Sequence, residues 1–478
     1  MLIYNLFKKN FKNKKDKIIF FENSQYDYSD ILKLVDLAES QINKKNDSIS
    51  IVSENNIYHI VLYLLSSKLN KKFIPLDPAS PIKDILKTIK IYKIKNIFCN
   101  DQIASILKKK NIKYFNIKKI KKIFRKKKIK NKPSKIFLLS FTSGSTGNPK
   151  PIVLNQKIKL LRAKSNIKLY SLSSIKKILI STPLYHTLAI RLLNIFILIG
   201  GKIFIIEKYN FEKLVKSINK HKIEFTFFIS DQINQLIRNK KFIYYLKSLK
   251  NLVSSSSSLS LENKKIILKY FGKKFHECYG LSEGAILTNL FLKKSKFHFG
   301  SVGKKIPGIK LKIKNKKNKI GEIFFKSNQM FEGYLNKKGK IYKNIDKDGY
   351  FNTGDLGFFK QNYLYFTGRK KNLIKVKGKS IYPEDIENIL LQSKLVKDCG
   401  ITSIKNEDFE EQLCLLYVLK NNKFSESKFK NYCINLLSSL HLPRYFLKIN
   451  KIPRNNLGKI NRLKLNKIVV QKINVQSL

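Results

Sequence analysis

One short loop combines glycines, hydroxyl side chains and a lysine in a spacing that suits phosphate binding. It reads Thr-Ser-Gly-Ser-Thr-Gly-Asn-Pro-Lys from Thr142 to Lys150 and follows an apolar run. Glycines let backbone amides turn inward, and the hydroxyls and the lysine add donors for phosphate oxygens. It is not a Walker A loop, which has the form G-x-x-x-x-G-K-[ST]. The pattern predicts phosphate contacts from Thr142, Ser143, Gly144, Ser145, Thr146, Gly147 and Lys150; a Ser/Gly-rich surface loop is the alternative.

Other short motifs accompany this loop in a fixed order along the chain. They are Phe73-Ile-Pro-Leu-Asp-Pro-Ala-Ser-Pro81, Pro183-Leu-Tyr-His186, Tyr279-Gly-Leu-Ser-Glu283, Gly321-Glu-Ile323, Gly333-Tyr-Leu-Asn336, Tyr350-Phe-Asn-Thr-Gly-Asp-Leu-Gly357, Gly368-Arg369, Gly378, Tyr382-Pro-Glu-Asp-Ile-Glu387 and Pro453 to Arg462. With the loop, the set resembles the adenylate-forming superfamily, the group of acyl-CoA synthetases, luciferases and adenylation domains of peptide synthetases. The resemblance covers roughly residues 50 to 465, and agreement of so many ordered motifs is hard to reach by accident.

The resemblance implies roles for residues near the nucleotide. The loop would hold the β- and γ-phosphates of ATP, with charge from Lys150. Tyr279 would offer its ring to adenine, Ser282 a hydroxyl to the α-phosphate, and Glu283 a carboxylate oxygen to Mg²⁺. Outside the motif these three would be a core tyrosine, a turn serine and a solvated glutamate.

Two further residues would hold the ribose. Asp355, in Thr-Gly-Asp, resembles the carboxylate that accepts both ribose hydroxyls, and Arg369 resembles the arginine that grips the same sugar. An aspartate beside a glycine is otherwise a common turn residue. The surrounding Tyr-x-x-Thr-Gly-Asp-Leu pattern favours the ribose role.

Near the C-terminus, the frame Pro-x-x-x-x-Gly-Lys-Ile-x-Arg resembles the catalytic-lysine loop of the same family. It places Lys459 as the ammonium that bridges the attacking carboxylate and the α-phosphate. In a chain with 97 basic residues, any single lysine outside such a frame would be a solvated surface charge.

The resemblance also implies the reaction. A carboxylate attacks the α-phosphate of MgATP to give an acyl-adenylate and pyrophosphate, and a thiol then displaces AMP. The thiol would belong to CoA or to the phosphopantetheine of an acyl carrier protein. The family rotates its small domain between the two steps, with Lys371 at the pivot position here. Gly378 would let the pantetheine arm pass close to the backbone, where a Cβ would obstruct it.

His186 bears on the substrate. It stands where amino-acid-activating members place an aspartate for the substrate's α-ammonium group, and an imidazole cannot serve that purpose. We therefore expect His186 in the catalytic centre of a ligase for an acyl or aryl acid that lacks an amino group. Against this, Pro75-Leu-Asp-Pro78 is more similar to amino-acid adenylation domains, so an amino-acid ligase stays an alternative. His186 can equally be a packed core histidine.

The sequence departs from the family pattern in three places. Ser254 to Ser258 replace a Gly-Gly-Ala-like segment beside adenine, so that added hydroxymethyl groups could narrow the pocket or add hydrogen bonds. Pro151 replaces a small residue after the loop lysine, and Asn372 stands where an acid is common. None of these changes removes a charge that adenylation needs.

The elements that position these motifs follow an α/β pattern, in which β-branched and aromatic runs alternate with amphipathic segments. Ser230 is expected to cap a helix through Arg238, and Ser260 to cap a helix through Tyr270 that Gly272 ends. The predicted strands include Ser134–Ser140, Lys177–Ile180, Lys202–Ile206 and Ile223–Ile229.

The fold class expected is α/β, the adenylate-forming enzyme fold. A chain of 478 residues with 43% hydrophobic residues is long enough for two or three domains with large cores. We place a large N-terminal AMP-binding domain of α/β subdomains at residues 1–367. A small, mobile α+β C-terminal domain is expected at residues 368–478.

The formal net charge of +65 gives a rival hypothesis. It arises from 97 Lys and Arg against 32 Asp and Glu, and residues 108–135 hold fifteen of these cations and no acid. A basic nucleic-acid-binding protein on a degenerate enzyme scaffold would show such a charge. However, only eight of the cations are Arg, and Lys, Asn, Ile, Phe and Tyr all use A/T-rich codons. Codon bias therefore explains much of the basicity, and a small-molecule carboxylic acid is preferred over nucleic acid as the partner.

Cysteine usage and hydropathy bear on location. The five cysteines are scattered without a CxxC pair or a histidine at metal-ligand spacing, so neither a disulfide framework nor a zinc site is expected. Apolar runs are too short for a signal peptide or a transmembrane segment. A cytoplasmic enzyme is the expectation.

Overall fold

The computed structural model describes most of the chain. The described residues are 2–120, 134–142, 150–257, 259–272, 274–292, 296–317, 319–376, 379–393, 395–405, 411–420, 425–455 and 458–476. The predicted phosphate ligands Ser143, Gly144, Ser145, Thr146 and Gly147 lie outside them, as do Gly378 and the middle of the basic block 108–135.

The described strands run in chain order as follows. They are β1 (Ile19–Phe20), β2 (Gln25–Tyr26), β3 (Ser48–Val52), β4 (Lys72–Leu76), β5 (Asn96–Cys99), β6 (Phe115–Asn116), β7 (Leu138–Thr142), β8 (Lys150–Leu154), β9 (Lys177–Ile180), β10 (Lys202–Ile205), β11 (Phe225–Ile229), β12 (Asn251–Ser255), β13 (Phe275–Leu281), β14 (Ala285–Phe291), β15 (Lys304–Lys305), β16 (Lys310–Lys317), β17 (Ile320–Lys326), β18 (Gly333–Leu335), β19 (Ile341–Tyr342), β20 (Phe351–Lys360), β21 (Tyr363–Arg369), β22 (Ile374–Val376), β23 (Lys379–Ile381), β24 (Val396–Lys405), β25 (Glu411–Leu419) and β26 (Tyr445–Lys448).

The described α-helices connect and cover these strands. They are α1 (Ile3–Phe11), α2 (Tyr28–Gln41), α3 (Ile57–Lys68), α4 (Ile82–Ile91), α5 (Asp101–Lys109), α6 (Gln156–Leu169), α7 (Thr187–Ile199), α8 (Phe211–His221), α9 (Ser230–Arg238), α10 (Leu261–Phe271), α11 (Pro383–Gln392), α12 (Glu426–Leu436) and α13 (Arg462–Gln476).

Two large sheets form the frame of the first part of the chain. The larger has the order β16-β17-β20-β21-β15-β14-β13-β12-β11-β9-β10-β1-β2, and the second has the order β19-β18-β8-β7-β4-β3-β5-β6. The central strands β10, β9, β11, β12 and β13 of the larger sheet are mutually parallel. Strands β14, β15, β20 and β21 continue it in antiparallel fashion. The carboxyl ends of parallel strands are where α/β folds place their ligands.

Helices fill the space between the sheets and cover their outer faces. One core cluster joins β3, β4, β7 and β8 of the second sheet to β9–β12 of the larger sheet through side chains of α1, α3 and α7. A second cluster packs α8, α9 and α10 on the opposite face of the larger sheet. A third packs α4 and α5 on the outer face of the second sheet. This layering of helices on mixed sheets confirms the predicted α/β class.

The last part of the chain has its own sheet and its own core. Strands β24, β25 and β26 form one small sheet and β22 pairs with β23. Two apolar clusters in this region draw their members from Ile374 through Val469. Helices α11, α12 and α13 accompany this sheet, so the segment has the α+β composition that was predicted for it.

Local predictions can be compared with these elements. The strand at Lys177–Ile180 is confirmed to the residue, and Ser260 caps α10 by accepting a hydrogen bond from the Asn263 amide at 3.2 Å. The N-cap at Ser230 is wrong, because α9 begins there with Ile229 as its N-cap. Instead of a serine hydroxyl, the Gln232 side-chain oxygen accepts a hydrogen bond from the Ile229 amide.

The strand predicted from Ser134 begins later, at Leu138. The Ser134 hydroxyl accepts a hydrogen bond from the Ile136 amide at 3.1 Å, and this local turn competes with an extended strand. Within the described residues, no helix has both the length and the apolar character required to cross a membrane.

Candidate active site

A cleft of about 1050 Å³ lies between the larger sheet and the C-terminal segment. Five of the residues predicted from sequence line it, namely His186, Tyr279, Asp355, Arg369 and Lys459. The first three come from separate elements before residue 368, while Lys459 comes from the loop before α13. A cleft of this size suits a nucleotide-sized ligand.

Asp355 and Arg369 face each other across the β20–β21 pair. The Arg369 Nε lies 3.2 Å from Asp355 Oδ1, and the Tyr279 hydroxyl donates to Asp355 Oδ2 at 2.8 Å. Burial raises the pKa of Asp355, although the Arg369 charge opposes this effect. Burial together with the adjacent Asp355 raises the pKa of Tyr279. The three side chains therefore form one connected group of donors and acceptors suited to hydroxyls such as those of a ribose.

Glu283 sits in a tight turn between β13 and β14. Its Oε1 accepts a hydrogen bond from the Tyr334 hydroxyl at 2.7 Å. Lys150 places its ammonium 5.5 Å from the centre of the same Tyr334 ring. Lys150 is also the cross-strand partner of Thr142, at the base of the predicted phosphate loop. One tyrosine thus connects the predicted phosphate lysine with the predicted metal carboxylate.

Arg162 anchors the turn that contains Glu283. Its Nε donates to the Gln329 carbonyl at 2.9 Å, and its two terminal nitrogens donate to the carbonyls of Ser282 and Glu283, each at 2.8 Å. The Ser282 hydroxyl also lies 3.3 Å from the Thr187 hydroxyl. These hydrogen bonds fix the conformation of the turn that carries Ser282 and Glu283.

Arg162 and Tyr334 were missed as individual residues by the sequence analysis. Tyr334 was quoted only within a motif. Arg162 shares one helical face of α6 with the buried polar residues Lys159 and Asn166. A polar stripe on a buried helix face was the available signal.

Lys459 lies on a loop that packs against the large sheet. The loop closes on itself, because Lys459 N donates to the Asn455 side chain at 3.0 Å and Asn455 N donates to the Lys459 carbonyl at 2.9 Å. An added Cβ at Gly458 would lie 3.2 Å from the Asp231 side chain. Burial, and then repulsion from Arg369, lower the pKa of Lys459 to about 8, while Asp355 opposes this.

His186 is the N-cap residue of α7, beside the cleft. Its Nε2 is buried and makes no hydrogen bond to any described residue. Burial, aided by the Lys459 charge, lowers the pKa of His186 to about 4, so the ring is neutral near pH 7.

The serine run beside the predicted adenine site is shaped by its neighbours. Ser256 has φ of +85°, a left-handed conformation that favours glycine. The Ser230 hydroxyl donates to the Ser255 carbonyl at 3.2 Å, which holds the run in place.

Lys264 and Glu277 form a fully buried ion pair at 2.6 Å. Glu277 also accepts a hydrogen bond from the Leu259 amide at 2.8 Å.

The described residues contain no group of three or more His, Cys, Asp and Glu side chains that could hold a metal ion by themselves. Mg²⁺ bound with nucleotide phosphates commonly takes only one or two protein carboxylates. The single carboxylate of Glu283, oriented by Tyr334, fits that pattern.

Comparisons with known proteins agree with this architecture. The family model of the AMP-binding enzymes matches residues 7–335. The 2-succinylbenzoate–CoA ligase of Oceanobacillus iheyensis is 26% identical over 336 residues, covering 68% of each chain. The luciferin 4-monooxygenase of Photuris pensylvanica is 25% identical over 481 residues, covering 91% of this chain and 88% of the relative.

Solved structures share the fold. The o-succinylbenzoate CoA synthetase MenE of Bacillus subtilis superposes with a TM-score of 0.84 at 19% identity, covering 96% of this chain and 97% of that chain. The predicted superfamily and fold are both confirmed. The chain therefore belongs to the AMP-binding enzyme family and is an enzyme of the acid–thiol ligase type.

Proposed function

We propose that this enzyme activates an acyl or aryl carboxylic acid as an acyl-adenylate and then transfers the acyl group to the thiol of CoA or of a carrier-protein phosphopantetheine. The observation that carries the proposal is the presence of Lys459 in the same cleft as Asp355 and Arg369. A cation brought from the C-terminal segment to a nucleotide site is what in-line attack on an α-phosphate requires. The CoA-ligase names among the relatives support the second step.

We assign the nucleotide-binding roles as follows. Tyr279 faces adenine, Asp355 and Arg369 take the ribose hydroxyls, and Ser282 donates to the α-phosphate. Lys150 and the loop Thr142 to Gly147 take the outer phosphates. Mg²⁺, held by Glu283, would neutralise phosphate charge when it is bound. The existing hydrogen bond from Tyr279 to Asp355 must then be exchanged for the ribose hydroxyls.

The first step joins the acid to the nucleotide. A carboxylate oxygen forms a bond to the α-phosphorus as the bond to the bridging oxygen breaks, and that oxygen leaves with pyrophosphate. Lys459 compensates the charge that builds on the non-bridging oxygens. In the second step the thiolate sulfur bonds to the acyl carbon and AMP leaves with the electron pair of the broken C–O bond.

His186 supports an acid without an amino group. At the N-cap of α7 its ring is neutral, so it gives an α-ammonium group no ion-pair partner at that position. A neutral ring beside the reacting carboxylate also avoids a competing ion pair with the substrate. Lys459 can then be the cation nearest to the attacking oxygen.

We also propose that the domain boundary lies at residues 367 and 368 and that Lys371 is the pivot of a domain rotation. The separate core between Ile374 and Val469 supports this division. A rotation would break contacts across this boundary, among them the hydrogen bond of 2.9 Å from Arg238 to the Lys397 carbonyl. Rotation would withdraw Lys459 and bring the region of Gly378 toward the thiol path.

The test is a panel of carboxylic acids scored by ATP–pyrophosphate exchange, followed by CoA and a pantetheinylated carrier protein with the best acid. We expect exchange with at least one acyl or aryl acid and none with amino acids. Asp355→Ala should abolish exchange, whereas the exposed Asp348→Ala serves as the matched control. Exchange that depends only on amino acids would refute the acid class, and duplex DNA binding without exchange would favour the nucleic-acid hypothesis.

A further inference from the structure

The segment that carries Lys459 turns back on itself before α13 begins. The Asn461 amide donates to the Pro453 carbonyl at 2.8 Å, and Arg454 forms an isolated antiparallel bridge with Ile460. These contacts bring the two ends of the loop together. The direction of the Lys459 side chain therefore depends on what holds the loop.

The Arg454 side chain joins this loop to the small C-terminal sheet. Its Nη1 donates to the Gly458 carbonyl at 2.7 Å. Its Nη2 donates to Asp398 Oδ1 at 2.7 Å, and its Nε donates to Asp398 Oδ2 at 3.4 Å. Because Lys459 N donates to the Asn455 side chain, both polar groups of the peptide bond between Gly458 and Lys459 are hydrogen-bonded. Arg454 thus fixes the peptide group that carries Lys459 relative to Asp398.

Asp398 gives Arg454 a rigid support. It lies in β24, which pairs with β25 along most of its length. Its Oδ1 also accepts a hydrogen bond from the Cys399 amide at 3.0 Å. The side chains of Arg454 and Asp398 are 26% and 23% exposed, so water competes less for this ion pair than for one at the surface. A pair that uses both carboxylate oxygens also fixes the orientation of the guanidinium plane.

The opposite side of the loop packs closely against the start of α9. An added Cβ at Gly458 would lie 3.2 Å from the Asp231 side chain and 3.3 Å from the Ile229 side chain, and φ of Gly458 is +74°. The loop therefore has little room to shift at this point. Its position is set from two sides, by Arg454 within the C-terminal segment and by α9 across the cleft.

We propose that Arg454 is a positioning residue for adenylation, which sets the place of the Lys459 ammonium in the cleft through the Gly458 carbonyl and is itself held by Asp398. Arg454 lines the cleft, but all three of its side-chain nitrogens donate within the C-terminal segment. It therefore acts through Lys459 and not on the nucleotide. A shift of about 1 Å in a reacting group is enough to cost ~10²-fold in rate. This inference rests on the proposed role of Lys459 in adenylation.

The first test compares the two half-reactions in Arg454→Met. Adenylate formation should fall by ~10- to 10²-fold. The MgATP concentration that gives half the maximal rate, and thioester formation from preformed acyl-adenylate, should each change by no more than about twofold. The exposed Arg444→Met is the matched control and should change none of these quantities.

Two outcomes of this test would overturn the inference. A higher half-saturating MgATP concentration at an unchanged maximal rate would show that Arg454 binds the nucleotide directly. Equal losses in both half-reactions would show that Arg454 only stabilises the C-terminal segment.

A double-mutant cycle shows whether Arg454 and Lys459 act as one unit. Because Arg454 is proposed to act through Lys459, adding Arg454→Met to Lys459→Met should lower adenylate formation by no more than about a further twofold. Multiplication of the two separate losses would show independent roles, which overturns the inference and leaves the adenylation proposal standing. Wild-type adenylate formation in Lys459→Met would overturn both.

Asp398→Asn tests the support of Arg454 and decides the matter if Arg454→Met does not fold. The amide keeps the shape of the carboxylate but removes its charge, so the guanidinium is held less firmly. Adenylate formation should fall about threefold to tenfold, the scale of one hydrogen bond, while thioester formation stays unchanged. Arg454→Lys should lose less than Arg454→Met, because an ammonium group keeps the charge but lacks the planar fork. Wild-type adenylate formation in Asp398→Asn, or equal losses in both half-reactions, would overturn the inference.

Discussion

Replacing Lys459 by methionine removes one ammonium group and keeps most of its aliphatic stem. The cleft lowers the pKa of Lys459 from 10.5 to about 8, chiefly by burial. That shift corresponds to about 3 kcal/mol of unfavourable environment for the cation, which a phosphoryl transition state would relieve. Loss of one such charge typically lowers a rate by ~10²- to 10³-fold. We expect adenylate formation to fall by that factor.

Single-turnover assays of the two half-reactions make this measurement specific. Adenylate formation is followed by pyrophosphate release, and thioester formation is followed from preformed acyl-adenylate. The first should lose the full factor, and the second should change little, because the domain rotation would remove Lys459 from the cleft. The exposed Lys464→Met is the matched control. Equal losses in both half-reactions would refute the assignment.

The pKa adds a pH signature. Since adenylation needs the protonated ammonium, kcat/KM for the wild type should fall about tenfold per pH unit above pH 8. The pKa of Lys371 is also lowered, by burial and by Arg369, so the variants must separate the two groups. The fall in kcat/KM above pH 8 should be absent in Lys459→Met and present in Lys371→Met. A fall that remains in Lys459→Met would show that another group titrates.

The sign of the effect on stability is fixed by the same pKa. A base whose pKa falls on folding binds fewer protons in the folded state. The protonated Lys459 therefore lowers the free energy of unfolding by its full amount below pH 8, and this destabilisation fades as the pH rises toward 10.5. Because Lys459 is partly exposed, about 1 kcal/mol is a realistic gain for Lys459→Met at pH 7. Urea unfolding at pH 7 and at pH 10 should show the gain only at the lower pH.

Three further changes test the supports of the site. Tyr334→Phe should raise the KM for MgATP about tenfold with little effect on folding, since it removes the hydrogen bond that orients the proposed metal carboxylate; a change in urea midpoint alone would contradict this role. Lys264→Met should cost about 3–5 kcal/mol in urea unfolding, and adding Glu277→Leu should recover most of it; additive losses would contradict a paired role. Ser256→Gly should raise stability by about 1 kcal/mol by relieving a left-handed serine, whereas the neighbouring Ser257→Gly should lower it.

Local chemistry was readable from the order of residues. The Thr142–Lys150 loop, the Ser260 cap and the strand at Lys177–Ile180 depend on neighbours within a few positions, and the last two are confirmed. The predicted N-cap at Ser230 was wrong because the hydroxyl of this residue has a hydrogen-bond partner that is distant in sequence. Its hydroxyl donates to the carbonyl of Ser255 on the neighbouring strand.

The wider site required contacts across the fold. Arg162 reaches the Ser282 and Glu283 carbonyls from a helix 120 residues away in sequence, and Tyr334 reaches Glu283 from another sheet. A helical periodicity indicates which face is buried but does not say which strand or turn covers it. The partners of a buried polar side chain are therefore set by packing.

By itself, the sequence determined the family and the α/β class, and it predicted most of the residues that we assign to a nucleotide site, because those properties depend on residue type within short motifs. The tertiary structure decided that Lys459 enters the cleft beside Asp355 and that the Tyr334 side chain contacts both Lys150 and Glu283. These facts arise from close packing of distant segments, in which each charge acquires its solvation and its partners only when the chain has folded.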